Sequence, residues 1–358
     1  MYEDLLRELR AGGLRPGDQL PTEQELSDRY GFHRNTVRQA VKRLTINGLV
    51  EKRKPRGVFV RPGVAADRVG DRLCLIYGPE DTTQATAFVH DGIAAARAHG
   101  LDPRIIRMMV GDEHIAVAAI EGGERALVIG AHFDPLDEVR QAMTRARGRV
   151  ASLGVRLEQT GVPSVVCDDE RGINLCVAHL REHGHRRIGL VVLDGEFGSA
   201  TLENEIRVWG EAIGLGRGEA AGSPDLLRVR RSPEVPVEVT GYHEMLARFR
   251  SEPAGPTGWL VIGEELAYAA AGAAARAGIR VPQELSLIAY GGTGRSEVQP
   301  LRMTALDCGI REHVNAALRL IGVGKAAEPV GEKPPDDALL GVIQPVLHER
   351  DSVAAAAR

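Results

Sequence analysis

The chain has 358 residues, 43% of them hydrophobic and 26% charged, and a formal net charge of −4. That length exceeds one typical core, and the composition is that of a globular protein with two or three domains. No run of about 18 apolar residues occurs, and the opening "MYEDLLRELR" is too charged for a signal peptide, so a cytoplasmic protein without a membrane span is expected.

The charge is unevenly placed. Residues 1–62 carry +5 and the remainder −9, and within 34–61 nine basic residues face one acid, Glu51. A small basic module on an acidic body points to a polyanion that meets the module alone. Cys74, Cys167, Cys176 and Cys308 are well separated, with no CxxC pair. Such usage fits reduced thiols rather than disulfides or a zinc site, and no cofactor is called for.

In chain order, Tyr2, Leu5, Leu6 and Leu9 have the spacing of a first helix, stopped at Gly12-Gly13. "LRPGDQLP" carries a Pro-Gly turn. Thr22 then caps a second helix, with Glu25 three residues on completing a capping box. Leu26 and Tyr30 would face inward, Gly31 ends the helix, and Phe32 in the turn is expected to join the same core.

A third helix spans about 34–47. Val37, Ala40, Val41 and Leu44 make its apolar stripe, while Arg34, Asn35, Arg38, Gln39 and Lys42 occupy the other side. Alone, that face fits a solvated amphipathic helix better than a DNA reader, because charged helix faces are common. "LVEKR" and "VFV" follow as alternating segments around "KPRG", where Pro55 and Gly57 suit a hairpin. Three helices and a basic hairpin describe a winged helix-turn-helix over 1–62.

"LRPGDQLPTEQELSDRYGFHRNTVRQAVKRLTINGLVEKRKPRGVFV" resembles the DNA-binding domain of the GntR family of bacterial transcription regulators, with PGxxLPTExEL, RNTVRxAxxxL, GLV and GxFV in order. The resemblance implies a third helix in the major groove and a wing in the adjacent minor groove. It places Arg34, Thr36 and Arg38 on bases and phosphates, beside Asn35 and Lys42 on the same face, and Arg56-Gly57 at the wing tip. Thr22 and Glu23 fall where the second helix's N-terminal amides can hold a phosphate. Arginine fits because its planar fork grips guanine or phosphate through two hydrogen bonds. His33 stands where the family usually has Ser, which alters that helix cap, and the wing is less Gly-rich than is common.

Residues 63–71, within "RPGVAADRVGDR", read as a linker of mixed charge. Beyond it, "LCLIY", "RALVIG", "PSVVCDD", "RIGLVVL" and "GWLVIG" each precede a helical stretch, near 85–99, 135–147, 171–183, 203–213 and 264–277, and "ELSLIAY" precedes a loop. This alternation means an α/β body with doubly wound, mainly parallel sheets, in two lobes with a cleft between them.

Residues 72–348 resemble the effector domain of LacI-type regulators, itself similar to periplasmic binding proteins. "VPSVVCDDERG", "HLREHGHRRIGLV", "IRVWGEAI" and "ELAYAAAGAAARAGIRVPQELSLIAY" carry the likeness, and 349–358 read as a tail. The resemblance implies a homodimer on a pseudo-palindromic operator, with a sugar or sugar derivative closing the cleft. Arg207 falls on the family's sugar-binding arginine. Gly263-Glu264 replace a common Asn-Asp, and Tyr290-Gly291-Gly292 lack the aspartate that accepts paired hydroxyls. Glu264, Asp168 and Gly291 remain as cleft candidates, Asp168 equally placed to cap a helix. Losing that aspartate favours an anionic or amphiphilic ligand.

"HGHRR" offers two histidines without a third ligand, "DDE" holds adjacent acids that point apart, and "GGTG" lacks the spacing and Lys of a P-loop. A ligand-responsive repressor is therefore expected rather than an enzyme. A regulator whose body only dimerises stays open beside it.

Overall fold

The computed structural model describes residues 1, 5, 17–46, 49–53, 57–60, 72–78, 82–108, 111–130, 136–194, 200–216, 218–230, 234–323 and 339–356. Contacts divide the chain into two units, Met1–Asp71 and Arg72–Arg358.

In the first unit α1 (Glu23–Tyr30) starts at a complete capping box. The Thr22 hydroxyl accepts from Glu25 N at 3.2 Å, and the Glu25 carboxylate accepts from Thr22 N at 2.7 Å. Gly31 closes the helix at φ +69°, a region that glycine enters without strain. α2 (Arg34–Ile46) follows at once, and the cap at His33 is made differently from a serine cap. Its ring Nδ1 accepts from Asn35 N at 3.3 Å, and its carbonyl accepts from Thr36 N and Val37 N. β1 (Val50–Arg53) and β2 (Gly57–Val60) pair antiparallel, Val50 opposite Val60 and Arg53 opposite Gly57.

Leu5, Leu20, Leu26, Val37, Ala40, Leu44, Val50 and Val60 form the unit's core, with Tyr30 and Val41 packed against it. Phe32 does not join them. It is 39% exposed, because the turn after Gly31 directs it outward while Ser27 Oγ donates to its carbonyl. The first helix except Leu5, the linker 63–71 and Arg56 lie outside the described residues.

The second unit has two lobes. The first lobe is a parallel sheet in the order β13-β7-β6-β5-β3-β4. Its strands are β3 (Arg72–Tyr77), β4 (Asp102–Arg107), β5 (Arg125–Ile129), β6 (Val150–Leu153), β7 (Ser164–Cys167) and β13 (Leu340–Ile343). One face packs on α3 (Thr83–Ala98) and α10 (Ile310–Leu320), the other on α4 (Glu113–Glu121) and α5 (Asp137–Arg145).

The second lobe runs β14-β12-β11-β10-β8-β9, with only β14 antiparallel. It contains β8 (Ile188–Asp194), β9 (Leu226–Arg230), β10 (Gly258–Ile262), β11 (Ser286–Tyr290), β12 (Thr304–Asp307) and β14 (Val346–His348). α6 (Asp169–Glu182) and α7 (Ala200–Ile213) cover one face, α8 (Val237–Ser251) and α9 (Glu264–Ala277) the other. The near-continuous apolar strands follow from burial on both faces.

The chain crosses between lobes three times, from β7 into α6, from β12 into α10, and from β13 into β14. It does not leave the body at 348. Ser352 is buried, its carbonyl accepting from Leu287 N and its hydroxyl from Thr304 N, and Asp351 pairs with Arg302. The last described residues are thus a strap on the second lobe rather than a tail.

Candidate functional site

In the first unit the buried stripe of α2 leaves Arg34, Asn35, Thr36, Arg38 and Lys42 exposed together on its outer side. Thr22 and Glu23, at the start of α1, lie beside them. The Glu23 carboxylate accepts from Arg38 Nη2 at 2.9 Å and Nε at 3.1 Å. That hydrogen bond holds the Glu23 carboxyl below its usual range and raises the Arg38 guanidinium. A carboxylate from the neighbouring helix thus sets the direction of a guanidinium that projects to solvent. Gly57, opening the second wing strand, has φ +113°, a region that favours glycine, and it packs against the Gln19 side chain.

In the second unit the carboxyl ends of the two sheets face each other, the place where open parallel sheets bind ligands. The α3 start after β3 meets the α9 start after β10 and the loop after β11. Of the residues expected there, Asp168 caps α6. Its carboxylate accepts from Arg171 N at 3.0 Å and from Gln344 Nε2 at 3.2 Å, joining two of the lobe crossings. Asp169 points elsewhere and accepts from the Tyr290 hydroxyl at 2.5 Å.

Glu264 is 2% exposed and turned inward, unlike a residue awaiting a ligand. It accepts from Thr293 N at 3.1 Å, the Thr293 hydroxyl at 2.5 Å and Ser296 N at 2.9 Å, stapling the loop after β11. Gly263 turns the chain from β10 into α9 at φ +101°. Gly291 contributes backbone, its N–H donating to the Leu306 carbonyl at 3.0 Å. The Arg207 side chain, 41% exposed, donates to Glu211 at 2.7 Å and Asn204 at 2.8 Å on its own helix.

Sequence reasoning missed several residues here. Glu265, the next residue, is directed towards Thr83 of the other lobe, and burial pushes its carboxyl up. Glu205 is buried and faces Asp169. Loss of water pushes both carboxyls up, and one Glu205 oxygen has no partner. In sequence Glu265 reads as an ordinary first-turn acid and Glu205 as a surface residue, so nothing signalled either. His183 and His185 serve the strap and its surroundings. His185 Nδ1 meets Thr257 Oγ1 at 2.9 Å and its Nε2 meets the Ala354 carbonyl at 3.1 Å.

Residues 1–60 match the sequence model of the bacterial regulatory proteins of the gntR family. Residues 1–60 are thus similar to the domain shared by that family. Residues 177–353 match the periplasmic-binding-protein-like domain. The chain is 41% identical to the HTH-type transcriptional repressor NagR of Bacillus subtilis across 60 residues, 17% of this chain and 25% of that one. At greater length it is similar to an arabinose metabolism transcriptional repressor of Geobacillus stearothermophilus, 23% identical over 305 residues, 81% of this chain and 80% of that one.

The fold of the second unit is similar to that of solved LacI-family regulators. One from Enterococcus faecium, solved with bound ribose, covers 80% of this chain and all of its own at TM-score 0.60 and 18% identity. Another from Lactobacillus casei, with bound glucose, covers 78% and all of its own at TM-score 0.62 and 14% identity. No helix among the described residues is long and apolar enough to cross a membrane.

Proposed function

We propose that this protein is a transcriptional repressor that binds a pseudo-palindromic operator as a homodimer and is released or retained by a small molecule held between the lobes of its body. The observation that carries the DNA half is the exposed face of Arg34, Asn35, Thr36, Arg38 and Lys42 on α2, next to Thr22 and Glu23, in a GntR-family domain. Two copies are needed because one such module makes too few contacts for a specific site. Arg56 and Gly57 at the wing add contacts of the phosphate-positioning kind.

For the cleft, a sugar or sugar derivative is supported by the fold shared with ribose- and glucose-bound regulators and by the repressor relatives. Arg207 is the cleft residue assigned to ligand hydroxyls, with Asp168, Glu264 and Gly291 shaping the surround. To bind, a ligand must outcompete Glu211 and Asn204 for the arginine. A second reading, that the body only dimerises, gains from these same internal pairings.

The deciding experiment selects an operator in vitro with the full chain, then titrates sugars, sugar acids and sugar phosphates while following DNA release and thermal stability. Coupling of about 5–150-fold between ligand and operator is expected. Tight neutral-sugar binding that Arg207→Ala leaves untouched overturns the pocket, and no response to any compound selects the dimer-only reading.

A further inference from the structure

The two first-turn acids of α1 take different partners. Glu25 is occupied by the cap, its carboxylate accepting from the Thr22 N–H at 2.7 Å and hydroxyl at 2.9 Å. Glu23 turns to the next helix instead, where Arg38 donates to it from Nε at 3.1 Å and Nη2 at 2.9 Å. Arg34 and Lys42 share the outer face of α2 with Arg38, and their side chains make no hydrogen bond among the described residues. Of these three cations, only Arg38 is held.

A guanidinium carries its N–H donors in a planar fork. Glu23 takes the side that bears Nε–H and one Nη2–H. The end of the fork, one N–H on each Nη, stays open, and the Arg38 side chain is 61% exposed. That end matches the O6 and N7 acceptors of guanine in the major groove, and it matches two phosphate oxygens equally well. Charge decides between them. The Glu23 carboxyl is held below its usual range by Arg38 and is ionised at neutral pH. An anion on one side of the fork repels a phosphate at its end, whereas the guanine edge is neutral and meets no such penalty. Arg34 and Lys42, with no carboxylate in hydrogen-bond contact, keep their full attraction for the backbone.

We propose that Glu23 is a positioning residue that makes Arg38 the reader of one guanine in each half-site and keeps it off the phosphates. Affinity for DNA of any sequence is lowered so that preference for one base pair is raised. The inference rests on α2 being the DNA-reading helix.

The test uses the full chain and an operator selected with it in vitro, varied to each base at every half-site position, beside a random-sequence duplex. Arg38→Ala should remove a guanine preference of about 5–150-fold at one position. Glu23→Ala should cut that preference about tenfold, yet bind the random duplex about threefold more tightly and steepen the salt slope by about one. Glu23→Gln separates charge from shape: it should share the gain on random DNA and lose less of the preference. In the Arg38→Ala background, Glu23→Ala should no longer alter base preference. Both Glu23 variants retain the Thr22–Glu25 cap, and tighter binding to the random duplex cannot come from a misfolded module.

An unchanged preference in Glu23→Ala, with Arg38→Ala still losing it, overturns the positioning role. So does a preference that Glu23→Ala alters without Arg38, since Glu23 would then read the base itself. Random-duplex affinity that stays level or falls overturns the repulsion. Full preference retained in Arg38→Ala would instead remove Arg38 from the bases, and with it the reading on which the inference rests.

Discussion

The face of α2 and the cleft of the body both present arginines and acids, but on opposite terms. On α2 the polar groups stand outward over an apolar stripe, and Arg38 is steered by a carboxylate from the neighbouring helix. In the cleft the polar groups are turned on one another, Glu264 on its own loop, Glu265 towards Thr83 and Asp169 on Tyr290, and on α7 Arg207 is likewise turned on Glu211 and Asn204. DNA is a large polyanion that stays outside the protein, so its reader needs exposed cations. A small ligand is met in enclosed surroundings, where each polar group must find a partner until the ligand supplies one.

Mutations separate the two terms, beginning with the largest. Leu44→Ala, beneath the reading face, should cost about 2–5 kcal/mol of the first unit's stability in urea unfolding. A loss below about 0.5 kcal/mol would mean that α2 is not anchored by that core. Arg38→Ala should leave stability nearly unchanged and weaken operator binding by about 1–3 kcal/mol, with specificity flattened at one position of each half-site. Uniform weakening across all sequences would instead make Arg38 a phosphate contact.

Thr22→Ala removes the capping box and should cost about 1 kcal/mol of stability, read from the urea midpoint. Arg207→Ala should shift stability by no more than about 0.5 kcal/mol, because an exposed pair within one helix contributes little. A larger loss would show the arginine to be structural and remove it from the ligand site.

Acidity sharpens the contrast further. Burial raises the Glu205 carboxyl in the folded chain, so the fold favours its protonated form. Its contribution is fully present below the unfolded carboxyl range and is lost as pH rises through the folded value. Glu205→Gln, which resembles the protonated acid, should therefore raise the melting temperature at pH 8 and change it little at pH 4. Equal shifts at both pH values would show that the carboxyl does not titrate out of its usual range. No exposed acid near α2 should behave this way.

Within its described residues the first unit was legible almost residue by residue. Its signals are local: a capping box within four residues, a stripe at helical spacing, a glycine where φ is positive. Phe32 was the exception, since whether a turn residue reaches the core depends on where the turn points. In the body, helices near 171–183 and 264–277 were legible because apolar strands and amphipathic helices alternate there. β4, α4, β9 and α8 were not, their strands being polar or short and their helices weakly patterned.

By itself the sequence determined the two-unit organisation, the helix that carries the exposed basic face and the doubly wound class of the body. These depend on neighbours within a few positions and on total charge, which chain order preserves. Only the tertiary structure decided that Glu264 looks inward while Glu265 crosses the cleft, that Glu205 and Asp169 share a buried site, and that residues 351–356 bind the second lobe as a strap. Each of those outcomes joins residues tens to more than a hundred and eighty positions apart, and a burial that arises from such distant packing leaves no periodic trace in the chain.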